Sequence, residues 1–347
     1  MADKTPNGQY PFVSLLVPVR NEAGYIQTTL QSILLQDYPL DRMEILVMDG
    51  MSTDDTRKVI RDFMQENPTL KIEILDNTHQ IVPPALNIGI KHSSGNYILW
   101  VSGHSELPAD YVSTVVEYLQ RGDVQNVGGQ VYPVGRTYLE RAIAMAISSP
   151  LFIGNSYFRY GDEERLVDTV FPGAFPREIF DEIGYFDEEL VRHQDYEFNL
   201  RLRNAGGKIL YIPTLKVKYY PRSSIQAFFK QYFQYGVWKV RVMQKSYRAF
   251  RIRHFAPTAL VFGFVVATLL ALIFPGMRIY YGIGVGLYLL GTMGVSLVVS
   301  LRNKAWKYLP VLPVIFSAIQ FGWGSGFWWG TIKWNLLHFS KPDVDNK

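Results

Sequence analysis

The chain has 347 residues, of which 48% are hydrophobic and only 19% charged, against roughly 25% charged in an average soluble protein. Its 35 Lys and Arg against 31 Asp and Glu leave a net charge of +4, and no nucleic-acid partner is expected. There is no cysteine, which excludes disulfides, iron–sulfur clusters and thiolate zinc sites.

The charge deficit is uneven. Residues 1 to 255 have the balance of an ordinary globular protein, whereas residues 256 to 333 are almost uncharged. The opening "MADKTPNGQYPF" has no apolar core, so no cleavable signal peptide is expected and the first part of the chain should stay in the cytosol.

In chain order, "FVSLLVPV" (12–19) is a short apolar run bounded by polar residues and predicts a buried strand. "NEAGYIQTTLQSILLQ" follows with Ile26, Leu30, Ile33 and Leu34 at helical spacing. "MEILVMDG" predicts a second strand, and "STDDTRKVIRDFMQE" a helix opened by Ser and Asp caps. "LKIEILD" is a third strand, "PPALNIGIKHS" a helical crossover and "NYILWV" a fourth strand. Strands alternating with helices predict right-handed crossovers and a parallel sheet. Ligands of such sheets sit at the carboxyl ends of the strands. "RNE", "DGMSTDD" and "SGHSE" fall at the ends of strands one, two and four. Neither G-x-G-x-x-G nor G-x-x-x-x-G-K-[ST] occurs, which disfavours a dinucleotide fold and a P-loop.

Three uncharged runs follow: 256–276, 279–301 and 308–332. Each is long enough to cross a bilayer, which takes about 20 residues. The third is rich in Gly, Pro and Trp and could instead be re-entrant or interfacial. "KVRVMQKSYRAFRIRH" (239–254) carries six Lys or Arg and no acid, and "RNKAWK" (302–307) three more. Both belong on the inner side, which leaves the N-terminal domain cytosolic and draws the chain to anionic headgroups. The expected plan is a cytosolic domain over 1–238, a basic amphipathic juxtamembrane segment over 239–254, a membrane region of about three spans over 255–333, and a polar tail over 334–347.

"VSLLVPVRNEAGYIQTTLQSILLQDYP" followed by "ILVMDGMSTDDT" resembles the start of family 2 glycosyltransferases. More narrowly it resembles the succinoglycan-type glucosyltransferases of bacterial exopolysaccharide assembly. "ALNIGIKHSSGNYILWVSGHSELPADYV", "NVGG", "VDTVFPGAFPREIFDEIGYFDEELVRHQDYEFNLRLRNAGGKI" and "PRSSIQAFFKQYFQYG" extend the likeness over about residues 12–240. The resemblance implies the GT-A fold, a Rossmann-like mixed sheet flanked by helices, here followed by a C-terminal transmembrane helical region. It also implies transfer of a sugar from a nucleotide-diphospho-sugar with inversion at the anomeric carbon.

Residue by residue, Pro18, Arg20 and Glu22 follow strand one, where the family holds nucleobase and ribose. Asp49 stands where the family's aspartate accepts from the uracil N–H. Read without the family, a carboxylate there is as readily a helix cap as a ligand, and Asp54 reads as a cap. In "SGHSE", Ser102 replaces the first acid of the family's Asp-x-Asp, Gly103 replaces the subgroup's alanine, and His104 keeps the position that ligates the divalent cation. A neutral imidazole binds Mn²⁺ acceptably, though oxygen ligands suit Mn²⁺ and Mg²⁺ better. Glu106 could add an oxygen ligand if the turn folds back. The alternative is a lost metal site.

On the acceptor side Gln194 replaces the glutamate of the family's Glu-Asp pair, and Asp195 keeps the position of the general base. Glu197 is the fallback. "QYFQYGVWK" (231–239) stands where processive synthases carry Gln-x-x-Arg-Trp; here Gln231 and Gln234 are present and Arg-Trp is absent, which argues against a translocating synthase. The expected function is an inverting, non-processive transferase moving a sugar, from a UDP-sugar, onto a lipid-linked acceptor at a membrane. The other class is a non-catalytic homologue that binds nucleotide or glycan as a scaffold, which the changes at Ser102 and Gln194 keep open.

Overall fold

The computed structural model describes residues 10–153, 156–246 and 255–336. Residues 247–254 of the basic segment and 337–347 of the polar tail lie outside the described residues. The chain divides into two compact units, one formed by residues up to Tyr132 with Tyr157–Tyr219, the other by Pro133–Ser156 with Tyr220 onward.

The first unit opens with β1 (Val13–Val19), α1 (Ile26–Leu34), β2 (Met43–Asp49), α2 (Thr56–Glu66), β3 (Lys71–Asp76), α3 (Val82–His92) and β4 (Tyr97–Trp100). It continues with β5 (Ser105–Glu106), α4 (Tyr111–Gln120) and β6 (Asn126–Pro133). Helices α5 (Tyr138–Ile147) and α6 (Pro150–Ile153) belong to the second unit. The first unit then resumes with β7 (Arg165–Leu166), β8 (Ala174–Pro176), α7 (Ile179–Ile183), α8 (Gln194–Asn204) and β9 (Ile209–Tyr219). The sheet runs β3-β2-β1-β4-β8-β6-β9-β5, with β7 on β9. The β3-β2-β1-β4 half is parallel, as expected. The second half departs from the parallel expectation: β8 is antiparallel to both β4 and β6.

Alternation along β1 and β2 sends side chains to two cores. Leu15, Val17, Ile45 and Val47 pack with Ile26, Leu30 and Ile33 of α1 and Tyr111, Val112 and Val115 of α4. Leu16, Leu46 and Met48 pack with Leu86 and Ile90 of α3 and Phe198 and Leu202 of α8. Gly89 lets α3 approach the sheet: a Cβ there would stand 2.8 Å from Met48 Sδ and 2.9 Å from Leu16 Cδ2. The middle strands are therefore covered on both faces, which leaves their carboxyl ends as the polar opening of the sheet.

The second unit is helical: α5, α6, α9 (Ile225–Lys245), α10 (Phe255–Ile273), α11 (Met277–Arg302) and α12 (Leu312–Thr331). Among the described residues two helices, α10 and α11, are long and apolar enough to cross a membrane. At 1.5 Å per residue their 19 and 26 residues extend about 28 and 39 Å, against a hydrocarbon core of about 30 Å. They are not core helices of a soluble fold: Leu272, Ile279 and Leu290 are 69%, 70% and 71% exposed. So large an apolar surface needs a lipid or protein cover.

The third uncharged run forms α12, which is packed more deeply than α10 and α11. Helix α12 is the packed centre of its unit, with Leu312, Ile315, Ile319 and Phe327 buried. Its glycines recur every four residues and meet backbone. A Cβ on Gly322, Gly326 or Gly330 would stand 3.0, 2.0 or 2.7 Å from the carbonyl oxygens of Phe229, Phe233 and Val237 on α9. A Cβ on Gly324 would stand 2.3 Å from Pro257 O of α10. Small residues at this spacing let helix backbones touch. The run forms a helix–helix seam with α9 and α10.

Candidate active site

The turns after β1 and β2 are laced to each other. Asn21 N donates to Ser52 Oγ at 2.9 Å, Asn21 Oδ1 accepts from Thr53 N at 2.8 Å, Glu22 N donates to Thr56 Oγ1 at 2.7 Å, and Ala23 N to Asp54 Oδ2 at 3.2 Å. Asp54 also accepts from the Thr56 amide at 3.0 Å, so it caps the entry to α2, as expected, and holds the neighbouring loop as well. Desolvation pushes its pKa up, but the Thr56 hydroxyl and the Thr56 and Ala23 amides outweigh it and hold the carboxyl below its usual value.

Asp49 ends β2 fully buried. It accepts from Ser52 Oγ (2.5 Å), Ser52 N (3.1 Å) and Arg57 Nε (2.5 Å). Arg57 also pairs with Asp76 at the end of β3, and the two carboxylates hold its guanidinium pKa above the usual value. Asp49 thus holds the turn that follows β2. Arg20 lies over Gly50, where a Cβ would meet its side chain and Val19 O at 3.3 Å. Pro18 pairs in register with Met48 near the end of β1.

After β4, Thr29 Oγ1 donates to Gly103 O at 3.0 Å and fixes the turn. The departure from alanine at position 103 has a steric cause, since a Cβ there would stand 2.7 Å from Val19 Cγ1. His104 Nδ1 lies 2.9 Å from Glu22 Oε1, and Ser102 Oγ is 3.2 Å from each ring nitrogen. Tyr25 and Tyr219 flank the ring, with centroids 6.5 and 5.5 Å away. The structure therefore joins Glu22, expected on the nucleobase side, to the residue expected at the metal. Glu106 goes elsewhere and corrects the expectation of a second oxygen ligand. It pairs in β5 with β9, and its carboxylate takes Lys218 Nζ at 2.8 Å.

Among the described residues no group of three His, Asp or Glu could cage an ion. Mg²⁺-like ions are bound by one or two carboxylates and complete their shell with substrate phosphates and water; the donors gathered here are the Glu22 carboxylate and the His104 imidazole, with Ser102 Oγ beside the ring.

Asp195 lies in the first turn of α8, where carboxylates are favoured by the helix dipole. Helix α8 is anchored to the sheet by Phe198, stacked on Phe186 with centroids 4.5 Å apart, and by Asn126 Nδ2 donating to Asn199 Oδ1 at 2.8 Å. Its N-cap, His193, is left-handed at φ 64°. Glu197 is committed to Arg201, which donates to it at 2.7 and 3.0 Å and binds the carbonyls of Ile183 and Tyr185. Gln231 and Gln234 lie on α9 of the helical unit, where Gln231 Nε2 donates to Tyr235 Oη at 2.8 Å. Sequence reasoning missed Arg57 and Asp76; an aspartate ending "LKIEILD" carries the same strand-end signal as Asp49.

A parallel β-α-β half joined to antiparallel strands, with acids and a histidine gathered at the strands' carboxyl ends, defines a GT-A type transferase. The family model "Glycosyl transferase family 2" matches residues 14–184. A Methanococcus voltae protein, dolichyl N-acetyl-alpha-D-glucosaminyl phosphate 3-beta-D-2,3-diacetamido-2,3-dideoxy-beta-D-glucuronosyltransferase, is 32% identical over 332 residues, 93% of this chain and 98% of its own. The succinoglycan biosynthesis protein ExoA of Rhizobium meliloti (strain 1021) is 27% identical over 90% of this chain and 93% of its own. The chain belongs to glycosyl transferase family 2. In fold it is similar to the mannosyltransferase PcManGT of Pyrobaculum calidifontis in complex with GDP-Man and Mn²⁺ (TM-score 0.60, 19% identity, 89% of this chain and 86% of that one). It is also similar to S. aureus TarS 1-349 in complex with UDP-GlcNAc (TM-score 0.52, 15% identity, 91% and 90%). The protein is a glycosyltransferase.

Proposed function

We propose that this glycosyltransferase moves one sugar from a UDP-sugar to a lipid-linked sugar acceptor at the inner face of a membrane, with inversion. The observation that carries the reading is the 32% identity to a relative whose name gives a dolichyl-linked N-acetylglucosaminyl phosphate acceptor, over nearly the full length of both chains, apolar helices included. Helices α10 and α11 supply the membrane such an acceptor requires. Arg278 lies in the first turn of α11, while Arg302 ends that helix and Lys304 and Lys307 follow it, a bias that favours the C-terminal end of α11 inside. Two spans then return the chain to the side of the N-terminal domain, and a C-terminal reporter should read cytosolic.

In the reaction, the acceptor hydroxyl oxygen bonds to the anomeric carbon as the bond from that carbon to the diphosphate oxygen breaks. The nucleoside diphosphate leaves with the electron pair, and Asp195 takes the hydroxyl proton. Asp49 accepts from the uracil N–H, while Pro18 and Arg20 border the base and Ser102 lies by the ribose or sugar. A divalent cation, when bound, neutralises charge developing on the leaving diphosphate; His104 would hold it. The absence of Arg-Trp after Gln231 and Gln234 favours a single transfer per encounter. A panel of nucleotide-sugars, each assayed for nucleoside diphosphate release with a polyprenyl-phosphate-linked N-acetylglucosamine acceptor, tests the reading. Release that needs this lipid acceptor is expected, and equal release with a free sugar acceptor would overturn it.

A further inference from the structure

We infer that Glu22 is the positioning residue of His104, setting which ring nitrogen faces the diphosphate; this rests on the reading above that His104 holds the cation. Four observations carry it. Glu22 Oε1 and His104 Nδ1 are 2.9 Å apart, across 82 residues of sequence. The Glu22 backbone is itself immobilised: its amide donates to Thr56 Oγ1, and its neighbours Asn21 and Ala23 are bound by Ser52, Thr53 and Asp54. The His104 ring is bounded by Tyr25 and Tyr219. The turn that presents it is pinned by Thr29 on Gly103 and has no space for a Cβ at 103.

The chemistry follows from the neutral imidazole, which carries one N–H and one lone pair. A carboxylate at Nδ1 accepts the N–H, so the lone pair sits on Nε2 and the ring is oriented. The family likeness puts Glu22 with nucleobase and ribose, whereas this geometry puts it behind the histidine. The "STDDT" motif then has a purpose beyond capping α2. Its side chains hold the loop that holds Glu22, and so reach His104 indirectly.

The test uses the full chain in detergent with UDP and Mn²⁺, and three variants: Glu22→Ala, Glu22→Gln and His104→Ala. Mn²⁺ affinity is read by electron paramagnetic resonance in the presence of UDP, and UDP affinity by calorimetry without metal. Removing an outer partner of a metal-bound histidine typically weakens the metal about 10- to 100-fold. Glu22→Ala should do so while metal-free UDP affinity stays unchanged. Glu22→Gln, which keeps an acceptor oxygen for Nδ1–H, should recover part of the loss. Nitrogen-15 spectra of labelled histidine should show His104 protonated at Nδ1 in the native chain and lose that preference in Glu22→Ala. If Glu22→Ala instead weakens UDP binding without metal, Glu22 is a nucleotide ligand and the inference fails. If His104→Ala weakens Mn²⁺ but Glu22→Ala does not, the inference fails alone. If His104→Ala leaves Mn²⁺ affinity unchanged, the cation reading of His104 fails, and the inference with it.

Discussion

The two ends of the parallel strands are built from similar residues and do opposite things. At the amino end Glu44 of β2 is buried and saturated: it accepts from Ser14 Oγ at 2.7 Å, Ser94 N at 2.6 Å, Ser94 Oγ at 2.8 Å and Lys71 Nζ at 2.5 Å. Desolvation raises its pKa, but those four donors outweigh it and hold the carboxyl below its usual value. At the carboxyl end Asp49 is held by Ser52 and by Arg57, which it shares with Asp76, and Glu22 is spent on a histidine rather than on a lysine or the backbone. The backbone differs in the same sense. Turns leading back into strands use glycine for positive φ, at Gly122 before β6 and Gly206 before β9. Turns leaving the carboxyl ends of β1, β2 and β3 put Asn21, Met51 and Gln80 at φ 56°, 57° and 60°. Such non-glycine residues cost on the order of 1–3 kcal/mol each and cluster where function over-determines the fold. The amino end is optimised for stability; the carboxyl end gives some of it up to hold side chains in place.

The largest expected effect lies on the functional side. Asp195→Asn keeps shape and removes the proton acceptor. Turnover should fall by about 10²- to 10⁴-fold, with UDP affinity unchanged, as steady-state rates and calorimetry will show. Glu197→Gln should cost less turnover and more stability, because it weakens the hold on Arg201 and the loop carbonyls Arg201 binds. The reverse ranking would move the base to Glu197.

Asp49→Ala should weaken UDP binding by about 1–3 kcal/mol, the cost of leaving a buried donor unpaired. Because Arg57 loses its partner too, a denaturant series belongs beside the calorimetry. Loss of stability with unchanged UDP affinity would make Asp49 a second Glu44, and the contrast between the two ends would collapse at β2.

Glu44→Gln is the converse. It should cost about 1–3 kcal/mol of stability while kcat and KM for the folded fraction stay put. The pH dependence has a fixed sign. A carboxyl held below its unfolded value contributes stability that is fully present above that value and is lost as pH falls through the depressed folded one. In the acid range below the ordinary glutamate pKa, Glu44→Gln should therefore lose less stability than the native chain. Acid melts of both proteins check this.

The smallest effect is expected at Met51. Glycine relieves a left-handed residue, worth about 1–2 kcal/mol, but adds unfolded-state freedom of about 0.5–1 kcal/mol. Met51→Gly should therefore raise the unfolding free energy by about 1 kcal/mol or less, read from urea midpoints. A fall would mean that Met51 is held by contacts rather than strained.

Much of this molecule was legible in the sequence because it is local. Short apolar runs gave β1 to β4, and helical spacing gave α1 to α3, since both depend only on periods of two and 3.6 residues. The strand-end clusters at Arg20 to Glu22, at Asp49 and at Ser102 to His104 were legible for the same reason: parallel topology carries strand ends to one edge. Partnership was not legible. That Glu22 would join His104 across 82 residues, that Glu106 would turn to Lys218, and that Arg57 would bridge Asp49 and Asp76 are decisions of tertiary packing. Composition also could not show what α12 packs against. Only the carbonyls of α9, too close for any Cβ at Gly326, show that its glycines form a seam. Sequence fixes what a segment can form; which side chains meet depends on distances that only the folded chain sets.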